Sequence, residues 1–119
     1  MSLIVYGIPN CSTVKKARAW LDERGAAYVF HDYKKQGVPA ERLDAWIQAV
    51  GWEPLVNRQG TTWRKLDEAT KAGVTDAASA KALMQAQASV IKRPVIELKG
   101  KVLSVGFDEA KAAAVAKAL

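Results

Sequence analysis

Residues 3–33 constrain the possible folds of this chain more than any other stretch. Within thirty-one positions they place an apolar run, "LIVY", a Pro–Asn turn, a helical segment and a second alternating run, "AYVFHDY", in direct succession. Residues 3–6 are β-branched and aromatic, which favours a strand. Pro9 and Asn10 break it. Beyond them Ser12 or Thr13 can cap a helix in which Val14, Ala17 and Leu21 recur on one face, and Gly25 ends it. Two strands joined this tightly by one helix run parallel, with a right-handed crossover.

The remainder completes the pattern. After Pro39, residues Leu43, Trp46, Ile47 and Val50 keep helical spacing up to Gly51. Residues 53–73 are polar and suggest only short helical pieces around 63–66. Asp76 caps a helix to about Gln87, with Ala80, Leu83 and Met84 on one face. Residues 94–98 read as a strand, "KGK" as a tight turn and 102–105 as the hairpin partner, and Asp108 caps a final alanine-rich helix. The order is β-α-β, a helical block, then β-β-α. This predicts an α/β, thioredoxin-like layout in a single domain over 1–119, with a helical insertion at about 39–90.

Composition narrows the function. With 119 residues, 50% of them hydrophobic, the chain can bury a core without staples. One cysteine excludes an internal disulfide, and one cysteine with one histidine is too few soft ligands for a zinc site. No apolar stretch reaches the ~20 residues of a membrane span, and "MSLIVYG" lacks the basic region of a signal peptide, so the expected compartment is the cytoplasm. The net charge of +6 is spread along the chain, without a basic tail or aromatic–basic alternation. That argues for small anionic partners and a solvated surface, and against nucleic acid or a membrane.

Cys11 falls where the first strand gives way to the first helix. Unpaired N–H groups and the helix dipole favour a thiolate there. Lys15, one turn on, and Lys16 add positive charge. Arg93 precedes Pro94 at the start of the third strand, and in a thioredoxin-like layout a cis-proline at that point faces the reactive cysteine. In "NRQGTTWRKLDE", Arg58 and Arg64 are guanidinium groups suited to oxyanions, with Gly60 and the hydroxyls of Thr61 and Thr62 between them. His31 is the sole histidine; it lies on the second strand beside Asp32, one helix removed from Cys11, and is read as structural rather than as a partner for the thiol.

The segments "YGIPNCSTVKKARAWL", "FHDYKKQG", "GWEPLVNRQGTTWRKLDE" and "IKRPVIEL" together resemble the arsenate reductase (ArsC) family, nearest its YffB branch, with the Spx regulators as relatives. The resemblance runs from Leu3 to about Phe107. It implies a thioredoxin-like domain with a helical insertion and a thiol-dependent reductase that uses glutathione. Cys11 then matches the catalytic cysteine, Arg93 an oxyanion-binding arginine before Pro94, and Arg58 another arginine; Arg64 belongs to the branch's own "WRKL" signature. Three positions depart from the relatives. Gly7 stands where arsenate reductases carry a histidine, Phe107 where a third arginine is expected, and Val14 where Spx proteins have the second cysteine of a dithiol switch.

The expected function is therefore a glutathione-dependent thiol oxidoreductase with a single nucleophilic cysteine. It would hold no bound cofactor or metal and would use glutathione as co-substrate, with glutaredoxin as a further partner. Its substrate would be a disulfide or a small anion such as arsenate, and Lys15, Arg58, Arg64, Arg93 and Pro94 would bind substrate or glutathione. Two alternatives stand beside it: an Spx-like protein that binds RNA polymerase without a dithiol switch, and a family member whose thiol is only structural.

Overall fold

The computed structural model describes residues 3–119. The chain runs β1 (Leu3–Gly7), α1 (Ser12–Glu23), β2 (Val29–Asp32), α2 (Tyr33–Gln36), α3 (Ala40–Val50), α4 (Thr61–Arg64), α5 (Glu68–Ala72), α6 (Ala77–Ala86), β3 (Val95–Leu98), β4 (Lys101–Val105) and α7 (Glu109–Ala118), with 3₁₀ turns at Glu53–Leu55 and Ala88–Val90. It forms two compact units: Gly37–Lys92, and the chain up to Gln36 together with Arg93–Leu119.

The second of these carries a four-stranded mixed sheet in the order β2-β1-β3-β4. β1 pairs parallel with β2 and antiparallel with β3, and β3 pairs antiparallel with β4. This is the thioredoxin-like arrangement. Because side chains alternate along a strand, one face of the sheet presents Leu3, Val5 and Ile96. These close a dry core with Ala17 and Leu21 of α1 and Val115 of α7, all at most 1% exposed. The opposite face carries Tyr6, which pairs with His31 in register, and buried Glu97. The β3–β4 hairpin turns on Lys99 and Gly100, both with positive φ, the geometry that matches strand twist.

Two local expectations are corrected. The cap of α1 is Cys11 itself, in extended conformation at φ −102°, rather than Ser12 or Thr13. The second strand begins at Val29 rather than Ala27: its pairing with β1 runs from Val29, opposite Ile4, to Asp32, opposite Gly7. Tyr33 then leaves the strand for α2, where the Asp32 carboxylate accepts from the Lys34 N–H at 2.9 Å.

In the Gly37–Lys92 unit, α3 and α6 are in contact, and Leu43 and Trp46 of α3 and Ala80, Leu83 and Met84 of α6 are buried. Asp76 and Ser79 form a reciprocal capping box at the start of α6. A single bridge, Val56 to Ile91, and the bonds from Asn57 N–H to Val90 O and Lys92 N–H to Leu55 O tie its ends together.

Candidate functional site

β1, β2 and β3 converge at one edge of the sheet: the carboxyl ends of the two parallel strands and the amino end of β3, where Gly7 pairs with Asp32 and Tyr6 with Val95. In open α/β sheets ligands bind at such an edge. Cys11 sits there. Its N–H reaches Ile8 O at 3.4 Å, closing the turn after β1, and its carbonyl accepts the first helical bond from Lys15 N–H at 2.9 Å.

The thiol of Cys11 is half-buried. As a neutral thiol it makes no capping hydrogen bond. Its ionised form is another matter. Burial pushes its pKa up, but the Val14 N–H, a hydrogen bond from Arg93, the Thr13 N–H and the Arg93 charge outweigh burial and hold the thiol below its ordinary value. Thr13 and Val14 are the second and third residues of the helix, so a thiolate here takes the place a carboxylate or hydroxyl oxygen takes at an ordinary N-cap.

Arg93 is delivered by the cis Arg93–Pro94 peptide, and Pro94 is buried with its carbonyl accepting from Gly106 N–H at 2.8 Å. Cys11 and Arg93 are thus brought together, with Pro94 next to Arg93 in the chain. Lys15 lies exposed on α1, one turn beyond the thiol. The lowering of the thiol comes from backbone N–H groups and Arg93 rather than from that lysine.

Arg58 and Arg64 belong to the Gly37–Lys92 unit. The Arg58 guanidinium lies 5.7 Å from the Trp52 ring and 5.8 Å from that of Trp63, beside a cleft of about 270 Å³ that it lines with Asn57, Gln59 and Lys92. Arg64 donates twice to the Gln59 carbonyl, from Nε at 3.2 Å and Nη2 at 3.0 Å. Its fork holds the loop before α4. A Cβ at Gly60 would stand 2.9 Å from Asn57 Nδ2, the mobile end of that side chain.

Gly7 and Val14 touch. A Cβ on Gly7 would lie 2.8 Å from Val14 Cγ2, and Val14 is fully buried. The isopropyl group of Val14 thus occupies the space that a side chain at position 7 would need.

Sequence reasoning missed an aromatic and acidic cluster beside Arg93. The Tyr6 hydroxyl donates to Glu97 Oε1 at 3.0 Å in the interior. The rings of Tyr6 and His31 are 5.0 Å apart, and Tyr33 stacks on Tyr6 at 6.5 Å. An acid inside the apolar strand "VIEL" was the available signal, because a carboxylate there must find a donor.

The ArsC family pattern matches residues 6–115. The chain belongs to the ArsC family. Among solved structures it is similar to a YffB protein, with 55% identity, 94% of this chain and 97% of the other covered and a TM-score of 0.86. It is also similar to an arsenate reductase (ArsC)-related protein from Brucella melitensis, with 54% identity, 98% and 96% covered and a TM-score of 0.76. An uncharacterised protein of Haemophilus influenzae is 41% identical over 90% of this chain and 92% of its own length. More distant matches include the global transcriptional regulator Spx of Streptococcus mutans, 24% identical over 85% of this chain and 73% of the regulator. Membership of the ArsC family points to a thiol oxidoreductase or arsenate-reductase-like role. Among the described residues, no helix is long and apolar enough to cross a membrane and no cluster of acidic, histidine or cysteine side chains is arranged to hold a metal ion.

Proposed function

We propose that this ArsC-family chain is a monothiol oxidoreductase resolved by glutathione. The observation that carries the reading is the environment of Cys11: a half-buried thiol held below its ordinary pKa by two helix N–H groups and Arg93. With a glutathionylated or other mixed disulfide, the thiolate attacks one sulfur, the S–S bond breaks and the other sulfur leaves as a thiolate that takes up a proton. Cys11 is left in a mixed disulfide. The chain has one cysteine, so an external thiol must attack that disulfide. Glutathione does so, and Cys11 leaves as thiolate. The net change for a glutathionylated substrate is R–S–SG + GSH → RSH + GSSG, one external thiol entering and its sulfur joining the glutathionyl sulfur taken from the substrate. An arsenic centre is the alternative electrophile, with glutathione and glutaredoxin releasing the adduct.

In this reading Arg93 binds the anionic group of substrate or glutathione beside the thiol, Pro94 fixes the backbone that carries Arg93, and Lys15 supplies positive potential. In the Gly37–Lys92 unit, Arg58 is assigned to anion binding, and Arg64 chiefly to holding the loop next to it. The expected compartment is the cytoplasm, where glutathione is reduced. Cys11→Ser abolishes glutathione-dependent turnover, measured with a mixed disulfide of glutathione as substrate; retained turnover rejects the reading.

The similarity to Spx supports a second reading, an adaptor that binds RNA polymerase. With Val14 in place of a second cysteine it could not be switched by an internal disulfide. Co-purification of polymerase subunits with the chain, unaffected by Cys11→Ser, would favour it.

A further inference from the structure

The turn that carries Cys11 also borders a cleft within its own unit. Pro9, Arg18, Phe30, Asp32, Lys35 and Gln36 line a space of about 340 Å³, and all of them belong to the part of the chain up to Gln36. Pro9 precedes Cys11 in the turn that the Cys11 N–H closes onto Ile8 O. Two residues of chain reach at most about 7 Å. Arg18 lies on α1, beyond its cap Cys11 by a spacing of i to i+7. That spacing returns to the same side of a helix after two turns, roughly 10 Å along the axis. The cleft therefore begins beside the backbone of the cysteine and follows one side of α1 to the edge strand β2.

Its walls carry both signs of charge. The Arg18 guanidinium lies 4.1 Å from the centre of the Phe30 ring, and its Nε donates to the Tyr28 hydroxyl at 3.1 Å. Stacking and one bond hold the fork in place and leave its terminal N–H groups for a ligand. Lys35 is exposed, whereas Asp32 is only 8% exposed. Oδ1 of Asp32 accepts from the Lys34 N–H at 2.9 Å, and an ionised carboxylate has room for about four such bonds. Among the described residues, none of Arg18, Asp32 and Lys35 is in an ion pair. A simple anion in this cleft would meet the Asp32 carboxylate as well as the two cations. A molecule with an ammonium and a carboxylate on one carbon suits all three groups, and the Phe30 ring offers an apolar wall to the carbons beside them.

We propose that this cleft binds the γ-glutamyl end of glutathione, with the α-carboxylate held by Arg18 and Lys35 and the α-ammonium by Asp32. The inference rests on the reading of glutathione as the thiol that resolves Cys11. It deepens it by choosing between the two ends of that tripeptide. The glutamyl end bears both charges on one carbon, whereas the glycyl end offers a carboxylate alone. The lengths agree. In an extended glutathione the sulfur and the glutamyl α-carbon stand roughly 9 Å apart, close to the rise of α1 from Cys11 to Arg18.

The experiment measures how well unreactive thioethers protect Cys11 from alkylation by iodoacetamide. The probes are S-methylglutathione, S-methyl-γ-glutamylcysteine and S-methylcysteinylglycine, and the first comparison uses the wild-type chain alone. The expected result is similar affinity for the two probes that keep the glutamyl end, and an affinity lower by about tenfold or more for S-methylcysteinylglycine. Acetylating the ammonium of S-methylglutathione weakens it in the wild type. In Asp32→Asn, which keeps an oxygen for the Lys34 N–H, acetylation makes no further difference. Lys35→Ala weakens S-methylglutathione and leaves S-methylcysteinylglycine where it was. Equal protection by S-methylcysteinylglycine, no protection by S-methylglutathione, or an acetylation loss that survives Asp32→Asn would each overturn the proposal. The two readings fail separately. Turnover that proceeds without glutathione rejects the resolving thiol, whereas equal protection by S-methylcysteinylglycine rejects only the glutamyl cleft.

Discussion

Two turns in this molecule use the same parts in different settings. Residues 7–14 and 57–64 each contain a glycine pressed against a side chain, the start of a helix and a nearby arginine. In the first, the crowded partner of Gly7 is Val14, fully buried and stiff. The arginine, Arg93, acts on a thiol. In the second, the crowded partner of Gly60 is the end of the Asn57 side chain, half-buried and able to move. The arginine, Arg64, is exposed and occupied by a backbone carbonyl. Similar parts serve different ends. In the first turn a cysteine caps the helix and feels the arginine. In the second the glycine is the cap and the arginine clamps the loop. Burial decides whether a crowded neighbour can give way.

Forcing a side chain into the first turn gives the largest effect. Gly7→His should destabilise the fold by about 1–3 kcal/mol through overpacking against Val14. Denaturant titration reads this, and Val14→Ala in the same chain should recover much of it. Gly60→Ala should cost less, since Asn57 can rotate away and lose only its long bond from Gln59 N–H at 3.3 Å. Equal losses at the two glycines would break the comparison.

The thiol should also leave a mark on stability. Its pKa is lowered in the folded chain, so ionisation favours the native state. The stabilisation is fully present above the ordinary thiol value and is lost as pH falls through the lowered native one. Stability of the reduced protein, compared with Cys11→Ser across that window, should show a positive slope with pH that the variant lacks. Smaller still is the effect of Arg64→Ala. Its two bonds to the Gln59 carbonyl are exposed, so the loss should be about 0.5–1.5 kcal/mol, with the alkylation rate of Cys11 unchanged. A slower rate would mean that Arg64 does more than hold its loop.

Much of this architecture was legible because it rests on local periodicity. Val14, Ala17 and Leu21 mark the buried face of α1, and Asp76 and Asp108 cap the helices they precede. The position of Cys11 at a helix start was readable for the same reason. Its role as the cap was not, because Cys11, Ser12 and Thr13 are adjacent and backbone dihedrals choose between them. The contact of Gly7 with Val14, the Tyr6–Glu97 bond and the placing of Tyr33 near Arg93 were also hidden. Each depends on strand register or on packing between residues distant in sequence, and no spacing rule reports them. The family likeness flagged positions 7 and 14 separately; only the fold shows that they share one space.

The central claim is that the fold, through the Val14 N–H, Arg93 and the Thr13 N–H, lowers the pKa of the Cys11 thiol. The direct measurement is the pH dependence of iodoacetamide alkylation of Cys11 in the native chain and in Arg93→Ala. The account predicts a native midpoint below the ordinary thiol value of about 8.5, moved upward in the variant. A native midpoint at or above that value, or one that Arg93→Ala leaves in place, would contradict it.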